Sequence, residues 1–147
     1  MAWLVCSCEE FCEESNRTAV VVHFYSSASD AIMPVKVNIK GIENDSMLDS
    51  HAQPTSAQVL LPINPTADMM SFSIQNDESP ADTIIIHYSR HNGFISAQCG
   101  CVTYAEIQGE PERTNHSIMG MVVTNPNVTT VSYRQGVVNA ENIRIYY

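Results

Sequence analysis

Apolar and polar residues alternate with a period of two along most of the chain, the pattern of strands that bury one face. Turn residues such as Asn, Asp, Gly and Pro separate the alternating groups, and no segment shows a convincing helical period of 3.6. The pattern predicts an all-β protein, folded as a single antiparallel β-sandwich of about seven to nine strands. The predicted strands are residues 18–25, 35–39, 57–61, 70–74, 82–90, 94–107, 117–124, 128–133 and 142–147.

One turn can be predicted in detail. Asn92-Gly93 is a strong signal for a two-residue type I′ hairpin turn, because both positions of that turn need positive φ. A tight turn there would place Ile86 opposite Cys99 and would put His87 on the other face, beside Gln98. The face expected to be buried comprises Ile84, Ile86, Tyr88, Ile95, Ala97, Cys99 and Cys101.

Composition narrows the function classes. The chain has 147 residues, with 16 acidic against 7 basic side chains and a net charge of −9. That balance argues against a nucleic-acid partner, which needs a clustered basic surface. No apolar run approaches the ~20 residues of a membrane helix. The glycine-rich nucleotide motifs and the Gly-x-Ser-x-Gly elbow are also missing from the sequence, so we predict no cofactor and no catalytic residues.

The N-terminus carries a lipid-attachment pattern. Val5-Cys6-Ser7-Cys8 places an aliphatic and two small residues before a cysteine, as in a bacterial lipobox. Acylation of Cys8 would make it the first residue of the mature protein. The apolar stretch before it is short and lacks a basic residue, so we interpret it as the end of a longer signal peptide. The predicted organisation is residues 1–7 as that remnant, 8–17 as an acidic tether and 18–147 as the sandwich.

The segment from residue 82 to residue 100 resembles the signature region of a Bacteroidetes family of lipoprotein-anchored envelope proteins of unknown function. An Asp-Thr pair, alternating apolar residues, a Tyr and an apolar-Ser-x-x-Cys-Gly segment carry the resemblance. The resemblance implies an all-β fold and a location in the cell envelope, and it brings no known catalytic residues. The matching positions are Asp82, Thr83, Tyr88, Ile95, Ser96, Cys99 and Gly100.

Three cysteines remain once processing removes Cys6 and acylation takes Cys8. We predict a disulfide from Cys12 to Cys99, chosen over Cys101 because Cys99 matches the family pattern, and an oxidising periplasm would permit it. A Cys12–Cys101 bond and three free thiols are the alternatives. A zinc site made of two Cys-x-Cys pairs fits poorly, because structural zinc sites use spacers of two to four residues. We therefore predict no metal.

Other polar groups have ordinary interpretations. His87 and His91 share one face of a strand, but a solvated role is expected for both. Ser89 and Ser96 lie near His87 without a hydrolase motif. The acidic loops do not follow a calcium-binding pattern and are expected to be a solvated surface. Candidate calcium ligands are Asn44, Asp45, Asp49, Asn76, Asp77 and Glu78, and glycosylation sequons, interpreted as chance, begin at Asn16, Asn44, Asn115 and Asn127.

These observations predict a non-catalytic binding or interaction module of the periplasm or outer membrane. It would be held to a membrane by lipid on Cys8 and would bind a protein or glycan partner through its loops. One alternative is an envelope-polymer hydrolase that uses acidic loop residues as acid and base. The other is a structural subunit that assembles by strand addition through residues 142–147.

Overall fold

The computed structural model describes residues 16–42, 47–50, 57–96, 100–132 and 140–147, which form two packed β-sheets. In these ranges there is no helix, and so none long and apolar enough to cross a membrane. The all-β sandwich predicted from the sequence is therefore confirmed. Twelve strand segments are described, more than the seven to nine predicted, partly because several are only two to four residues long.

The first sheet is organised around β1, which pairs with three other strands. β4 runs antiparallel to β1 from Ala19 to His23, and β12 runs parallel to it from Val22 to Tyr25. β9 then pairs with β12. The strands of this sheet are β1 (Asn16–Tyr25), β4 (Gln58–Pro62), β9 (Gly120–Val123), β11 (Thr130–Ser132) and β12 (Ile143–Tyr146).

The second sheet has the order β10-β7-β6-β5-β2-β3, with the short β8 paired to the start of β6. Every pair in it is antiparallel. Its strands are β2 (Val37–Gly41), β3 (Met47–Ser50), β5 (Met69–Asn76), β6 (Asp82–Ser96), β7 (Gly100–Ile107), β8 (Glu112–Arg113) and β10 (Asn127–Val128).

The core lies between the sheets and is built from the alternate residues that the sequence pattern marks as apolar. Val20, Val22 and Phe24 of β1 are fully buried, as are Ile84 and Ile86 of β6. All five belong to one cluster of buried side chains that spans both sheets. The predicted burial of Ile84, Ile86 and Tyr88 is thus confirmed, since Tyr88 is also buried.

The predicted hairpin at Asn92-Gly93 is wrong. β6 continues through both residues to Ser96, with Asn92 paired to Thr103 and Gly93 paired to Val102. Neither residue has the positive φ that a type I′ turn needs. Pairing extends instead to Ser96 and Gly100. The predicted pairing of Ile86 with Cys99 is wrong for the same reason, because β7 begins at Gly100 opposite Ser96 and already reaches Ile107 opposite Tyr88.

Two further predictions need correction. The sandwich is not wholly antiparallel, because β12 returns beside β1 in the same direction; such a parallel pair needs a long connection, which the rest of the domain supplies. The terminal strand also cannot offer a free edge, because β12 is paired to β1 on one side and to β9 on the other. In the described part of the first sheet the open edge beyond β12 is β9.

Several predictions lie outside the described residues. The signal-peptide remnant, Cys8, Cys12 and Cys99 all fall there, as do Asn44 and Asp45 of one candidate calcium loop. The proposed lipid attachment and the Cys12–Cys99 disulfide therefore remain predictions.

Candidate binding site

Two surface cavities border His91 on opposite faces of the second sheet, because neighbouring residues of a strand point to opposite faces. We call the cavity on the face of His91 and Tyr104 the His91 groove. The other cavity, on the face of Arg90 and Asn92, is polar and encloses about 270 Å³ where β6 approaches the loop before β5. There, the Nε of Arg90 donates a hydrogen bond to Asp68 Oδ1 (2.9 Å), and Arg90 Nη1 donates to the Pro65 carbonyl (2.6 Å). The residues lining it are Pro65, Asp68, Arg90, His91, Asn92 and Thr103.

The His91 groove is partly apolar and encloses about 430 Å³. His91 and Tyr104 are cross-strand partners here, with ring centroids 5.6 Å apart and planes tilted by 31°. Cross-strand ring pairs of this kind stabilise antiparallel sheets. The residues lining the His91 groove are His91, Tyr104, Ala105, Asn127, Val128 and Thr129.

Gly93 gives the ring of Tyr104 its position. A β-carbon built on Gly93 would overlap Cε2 of Tyr104 and come within 2.7 Å of Cδ2. The ring therefore lies over the strand backbone of β6, where only a glycine leaves room for it. Since Gly93 and His91 are two residues apart on one strand, their positions face the same side of the sheet.

Polar groups at this groove are left unpaired. In the described part of the chain, the His91 ring, the Tyr104 hydroxyl and the Asn127 side-chain amide have no hydrogen-bond partner; His91 and Asn127 are exposed and Tyr104 is half-buried. The groove therefore combines an aromatic surface with free donors and acceptors, which is the composition of a ligand-binding surface.

The buried carboxylate of Asp82 is, in contrast, fully occupied. It accepts hydrogen bonds from Thr114 Oγ1 (2.6 Å) and from the backbone N–H groups of His116, Ser117 and Ile118 (2.7–2.8 Å). Burial alone would raise the pKa of Asp82, but these bonds outweigh it and hold the pKa below its ordinary value. Asp82 thus fixes the loop that follows β8.

Glu141 is the centre of a second occupied cluster, on the outer face of the first sheet. It accepts hydrogen bonds from His23 Nδ1 (2.7 Å), the Tyr25 hydroxyl (2.9 Å) and Arg144 Nε (2.6 Å). The Arg144 guanidinium also lies 4.6 Å from the centre of the Tyr25 ring. Burial would raise the pKa of Glu141, but bonds from Arg144, His23 and Tyr25 lower it to about 2.

The His23–Glu141 pair does not have the geometry of a catalytic dyad. His23 Nε2 lies 2.8 Å from the side-chain nitrogen of Gln58. With Nδ1–H donated to Glu141, the Nε2 lone pair accepts from that amide. A general base needs this lone pair free to reach a substrate proton. The cluster therefore ties β1, β4 and β12 together.

Asn142, a buried polar residue like Asp82, joins the first sheet to the loop before β10. Its Oδ1 accepts from the Val21 N–H (2.9 Å), and its Nδ2 donates to the carbonyls of Asn125 (3.0 Å) and Asn127 (2.8 Å). Because Asn127 lines the His91 groove, Asn142 helps to set the wall of that groove.

The other candidates from the sequence do not assemble into a chemical site. His87 contacts exposed Glu112 (3.1 Å), while His91 packs on Tyr104, so the two histidines have separate partners. Ser89 lies opposite Glu106 and Ser96 opposite Gly100. Asp77 lies in a turn with positive φ, as its sequence signal predicts. Among the residues that the structure describes, no three His, Cys, Asp or Glu side chains are grouped to hold a metal ion.

Sequence reasoning missed the roles of Tyr104, Gly93, Glu141 and Asn142. A glycine within an alternating segment is a signal for close packing, but Gly93 was interpreted as part of a hairpin turn. Once β6 and β7 are paired in the observed register, the Tyr104 ring above a glycine is the expected arrangement for a strand glycine. Glu141 and Asn142 carried no signal, because their partners on β1 are more than 100 residues away in sequence.

Two packed sheets, an exposed groove beside His91 and the internally bonded side chains of Asp82, Glu141 and Asn142 define a β-sandwich domain with an open polar surface. The chain belongs to a family of unknown function, DUF6452, whose model matches residues 36–147. No curated protein and no solved structure matches the chain.

Proposed function

We propose that the protein is a non-catalytic binding module of the cell envelope and that the His91 groove is its ligand-binding surface. The observation that carries the proposal is the contrast between the groove and the rest of the described polar groups. His91, Tyr104 and Asn127 offer unpaired polar atoms beside an aromatic surface. Asp82, Glu141 and Asn142 are saturated by internal bonds and serve the fold.

The lowered pKa values of Asp82 and Glu141 support a binding role over hydrolysis. An acid–base hydrolase needs a carboxyl whose pKa is raised toward neutrality, so that it can donate a proton. The pKa of Asp82 and that of Glu141 are both shifted the other way, and each carboxylate already accepts several hydrogen bonds. Neither can protonate a leaving group without breaking the contacts that hold its loop or strand.

Attachment to the envelope is proposed from the N-terminal sequence. Cys8, preceded by Val5-Cys6-Ser7, is the expected acylation site, and the acidic residues 9–14 would form part of the tether. A single acyl chain binds membranes only marginally, whereas a diacylglyceryl group together with an amide-linked chain anchors stably. The module would then sit at a membrane surface with its groove available to a partner.

Sedimentation with envelope fragments tests the proposal. The variant Cys8→Ser, which cannot be acylated, is mixed with isolated envelope fragments of the producing organism and centrifuged. We expect it to sediment with the fragments, and we expect Tyr104→Ala to weaken this binding about 2- to 10-fold, the effect of losing one aromatic contact.

The matched control is Tyr146→Ala, which removes a half-buried tyrosine from the other sheet. It should leave sedimentation unchanged. Equal losses in Tyr104→Ala and Tyr146→Ala, or no sedimentation of the Cys8→Ser chain, would contradict the proposal.

Strand addition is a second candidate function, but at β9 rather than at the terminal strand. Val122 and the adjoining Met119 are about half and two-thirds exposed, and residues 117–127 contain no charged side chain. An edge strand without charges is open to pairing with another strand. The chain has a net charge of −9, so two copies repel one another electrostatically. This repulsion is weakest where the contact surfaces carry no charged side chains, as in residues 117–127.

In this second candidate the partner is another copy of the chain. The two copies of β9 would pair antiparallel to each other, related by a two-fold axis. Val122→Lys should abolish a concentration-dependent dimer in sedimentation equilibrium. Ile32→Lys, at another exposed apolar residue outside β9, should not. A wild-type chain that stays monomeric at all concentrations would exclude this candidate.

A further inference from the structure

We propose that the His91 groove binds an arginine side chain presented by a basic segment of a protein partner, with the guanidinium over the Tyr104 ring and bonded to the Glu106 carboxylate. This inference rests on the proposed binding function and names the ligand class for the same groove. It is carried by the placement of the Tyr104 ring, by the unpaired carboxylate beside it, and by the charge of this face of the sheet.

Glu106 is a free carboxylate next to the groove. It lies two residues after Tyr104 on β7, so both side chains face the same side of the second sheet, about 7 Å apart along the strand. Its cross-strand partner on β10 is Asn127, which lines the groove. Glu106 is exposed, and in the part of the chain that the structure describes its carboxylate has no hydrogen-bond or ion-pair partner. A charged acceptor is therefore available beside an aromatic ring.

The Tyr104 ring is held in place before any ligand arrives. It lies over Gly93, in space that any other residue would fill with its β-carbon. The His91 ring, with its centroid 5.6 Å away, forms part of the same aromatic surface. A cation is attracted to the face of an aromatic ring when it lies within about 6 Å of the ring centre. Because packing already sets the position of the ring, binding a cation there costs little ordering of the site.

The first sheet contains the same combination of side chains with its cation present. There, Arg144 Nε donates to the Glu141 carboxylate (2.6 Å), and the guanidinium lies 4.6 Å from the centre of the Tyr25 ring. His23 completes that cluster through its bond to Glu141. The His91 groove likewise brings a tyrosine, a histidine and a glutamate to one face of a sheet. The member that it lacks is the arginine, which a partner would supply.

Charge on this face favours a cation. Arg90 is the only lysine or arginine in the described strands β6, β7 and β10, and it points to the opposite face. Two exposed glutamates, Glu106 and Glu112, lie on the face of the groove, and the whole chain carries −9. A basic partner is attracted by that field, whereas an acidic one is repelled.

The groups at the groove favour arginine over lysine. A guanidinium is planar, so it stacks on a ring such as that of Tyr104 while its N–H groups form two parallel bonds to a carboxylate. A lysine ammonium is a compact and strongly hydrated charge that cannot form this paired contact. The side-chain oxygen of Asn127, unpaired in the described part of the chain, can accept a further N–H.

Recognition through a side chain also fits the neighbouring sheet edge. Extended peptides often bind by adding a strand to an edge, where backbone groups are free. At β10 the backbone N–H of Asn127 already donates to Asn125 Oδ1 (3.0 Å), and its carbonyl accepts from Asn142 Nδ2 (2.8 Å). An added strand would have to break both bonds, so a peptide partner gains more from a side chain placed in the groove.

Titration followed by NMR tests the inference. The ¹⁵N- and ¹³C-labelled Cys8→Ser chain is titrated with three blocked tripeptides whose central residue is arginine, lysine or citrulline, between two glycines. Citrulline has nearly the shape of arginine but no charge. We expect saturable shifts of the His91 and Tyr104 rings and of the Glu106 carboxyl with the arginine peptide. The citrulline peptide should bind at least about 2- to 5-fold more weakly, because it lacks the cation–π contact. Equal binding of these two peptides would overturn the inference.

Two glutamate variants separate the local contact from the net charge of the chain. Glu106→Gln should weaken binding of the arginine peptide about 2- to 5-fold, the effect of losing one exposed ion pair. Glu112→Gln removes the same charge from an exposed carboxylate on the same face that contacts His87 instead, and it should leave binding unchanged. Both variants alter exposed residues, so this comparison does not depend on whether a Tyr104 variant folds. Equal effects of the two variants would overturn the inference.

Failure of the ligand class can be told apart from failure of the proposed function. If the arginine peptide does not move the groove residues while the Cys8→Ser chain still sediments with envelope fragments through Tyr104, the arginine inference is wrong and the binding module stands. If neither titration nor sedimentation depends on the groove, both proposals fail.

Discussion

The ring of Tyr104 lies across the backbone of Gly93, in the space that a β-carbon at residue 93 would occupy. The two residues are on neighbouring strands, β7 and β6, and are offset from direct pairing by two positions, since Gly93 itself faces Val102. Diagonal neighbours on one face of a sheet are within reach of an aromatic side chain. The glycine is therefore needed for its missing side chain, in an extended strand, and not for a turn.

Gly93→Ala should displace the Tyr104 ring. We expect a loss of about 1–2 kcal/mol in the free energy of unfolding, because the added methyl group overpacks this contact. The matched control is Gly120→Ala, whose new β-carbon would lie 3.6 Å from the Tyr146 ring, an ordinary contact distance. Urea denaturation compares the two variants, and equal stabilities would show that the ring moves aside without cost.

Asp82→Asn should destabilise the domain by about 2–4 kcal/mol. The amide of an asparagine would point a donor at one or more of the groups that now donate to the carboxylate, leaving buried N–H groups unpaired. Hydrogen exchange should show faster exchange at His116, Ser117 and Ile118. Asp68→Asn, at an exposed carboxylate, should change stability by no more than about 0.5 kcal/mol. Unchanged protection of the three amides would contradict the role given to Asp82.

Acid should destabilise the domain within a defined window. The folded-state pKa of Glu141 is lowered from 4.5 to about 2, so its contribution is fully present above pH ~4.5 and is lost as the pH falls toward 2. Asp82, whose folded-state pKa is also lowered, adds to the loss in the same direction. Glu141→Gln should be less stable than wild type at pH 7 by about 1–3 kcal/mol.

The same variant checks the assignment of the acid effect to Glu141. Urea midpoints measured from pH 7 to pH 2 should fall less steeply in Glu141→Gln than in wild type, so that the two curves converge at low pH. Parallel curves would mean that another group causes the acid sensitivity.

The sequence predicted the sandwich because the alternation of apolar residues is local and strong. The buried face of β6, from Ile84 to Tyr88, follows directly from that period. The register of strand pairing was harder to predict, because it depends on which residues of neighbouring strands lie opposite each other. Asn92-Gly93 has the composition of a turn, yet the cross-strand pairing of Asn92 with Thr103 and the Tyr104 ring above Gly93 favour a continuous strand.

The candidate site was less accessible from the sequence than the fold. His91 was named, but as a solvated residue at a hairpin tip, because the turn hid its pairing with Tyr104. The sequence marks Asp82 only as a position of the family pattern at the start of a predicted strand, since nothing in its neighbours reveals that it accepts bonds from a segment more than 30 residues away. Contacts over such separations appear only once the topology is known.

Asn142→Asp tests the polar link between the first sheet and the groove wall. The substitution keeps the size of the side chain but replaces the Nδ2 donor with an oxygen that faces the carbonyls of Asn125 and Asn127. We expect a loss of about 3–5 kcal/mol in the free energy of unfolding at pH 7, larger than the loss in Asn142→Ala, because the change also buries a charge among acceptors.

Burial should raise the pKa of the new carboxyl, and its protonation then restores one donor. Stability of Asn142→Asp relative to Asn142→Ala should therefore improve as the pH falls from 7 to 4, which urea midpoints of the two variants measure. A constant difference across this range would show that the side chain has swung out of the link into solvent.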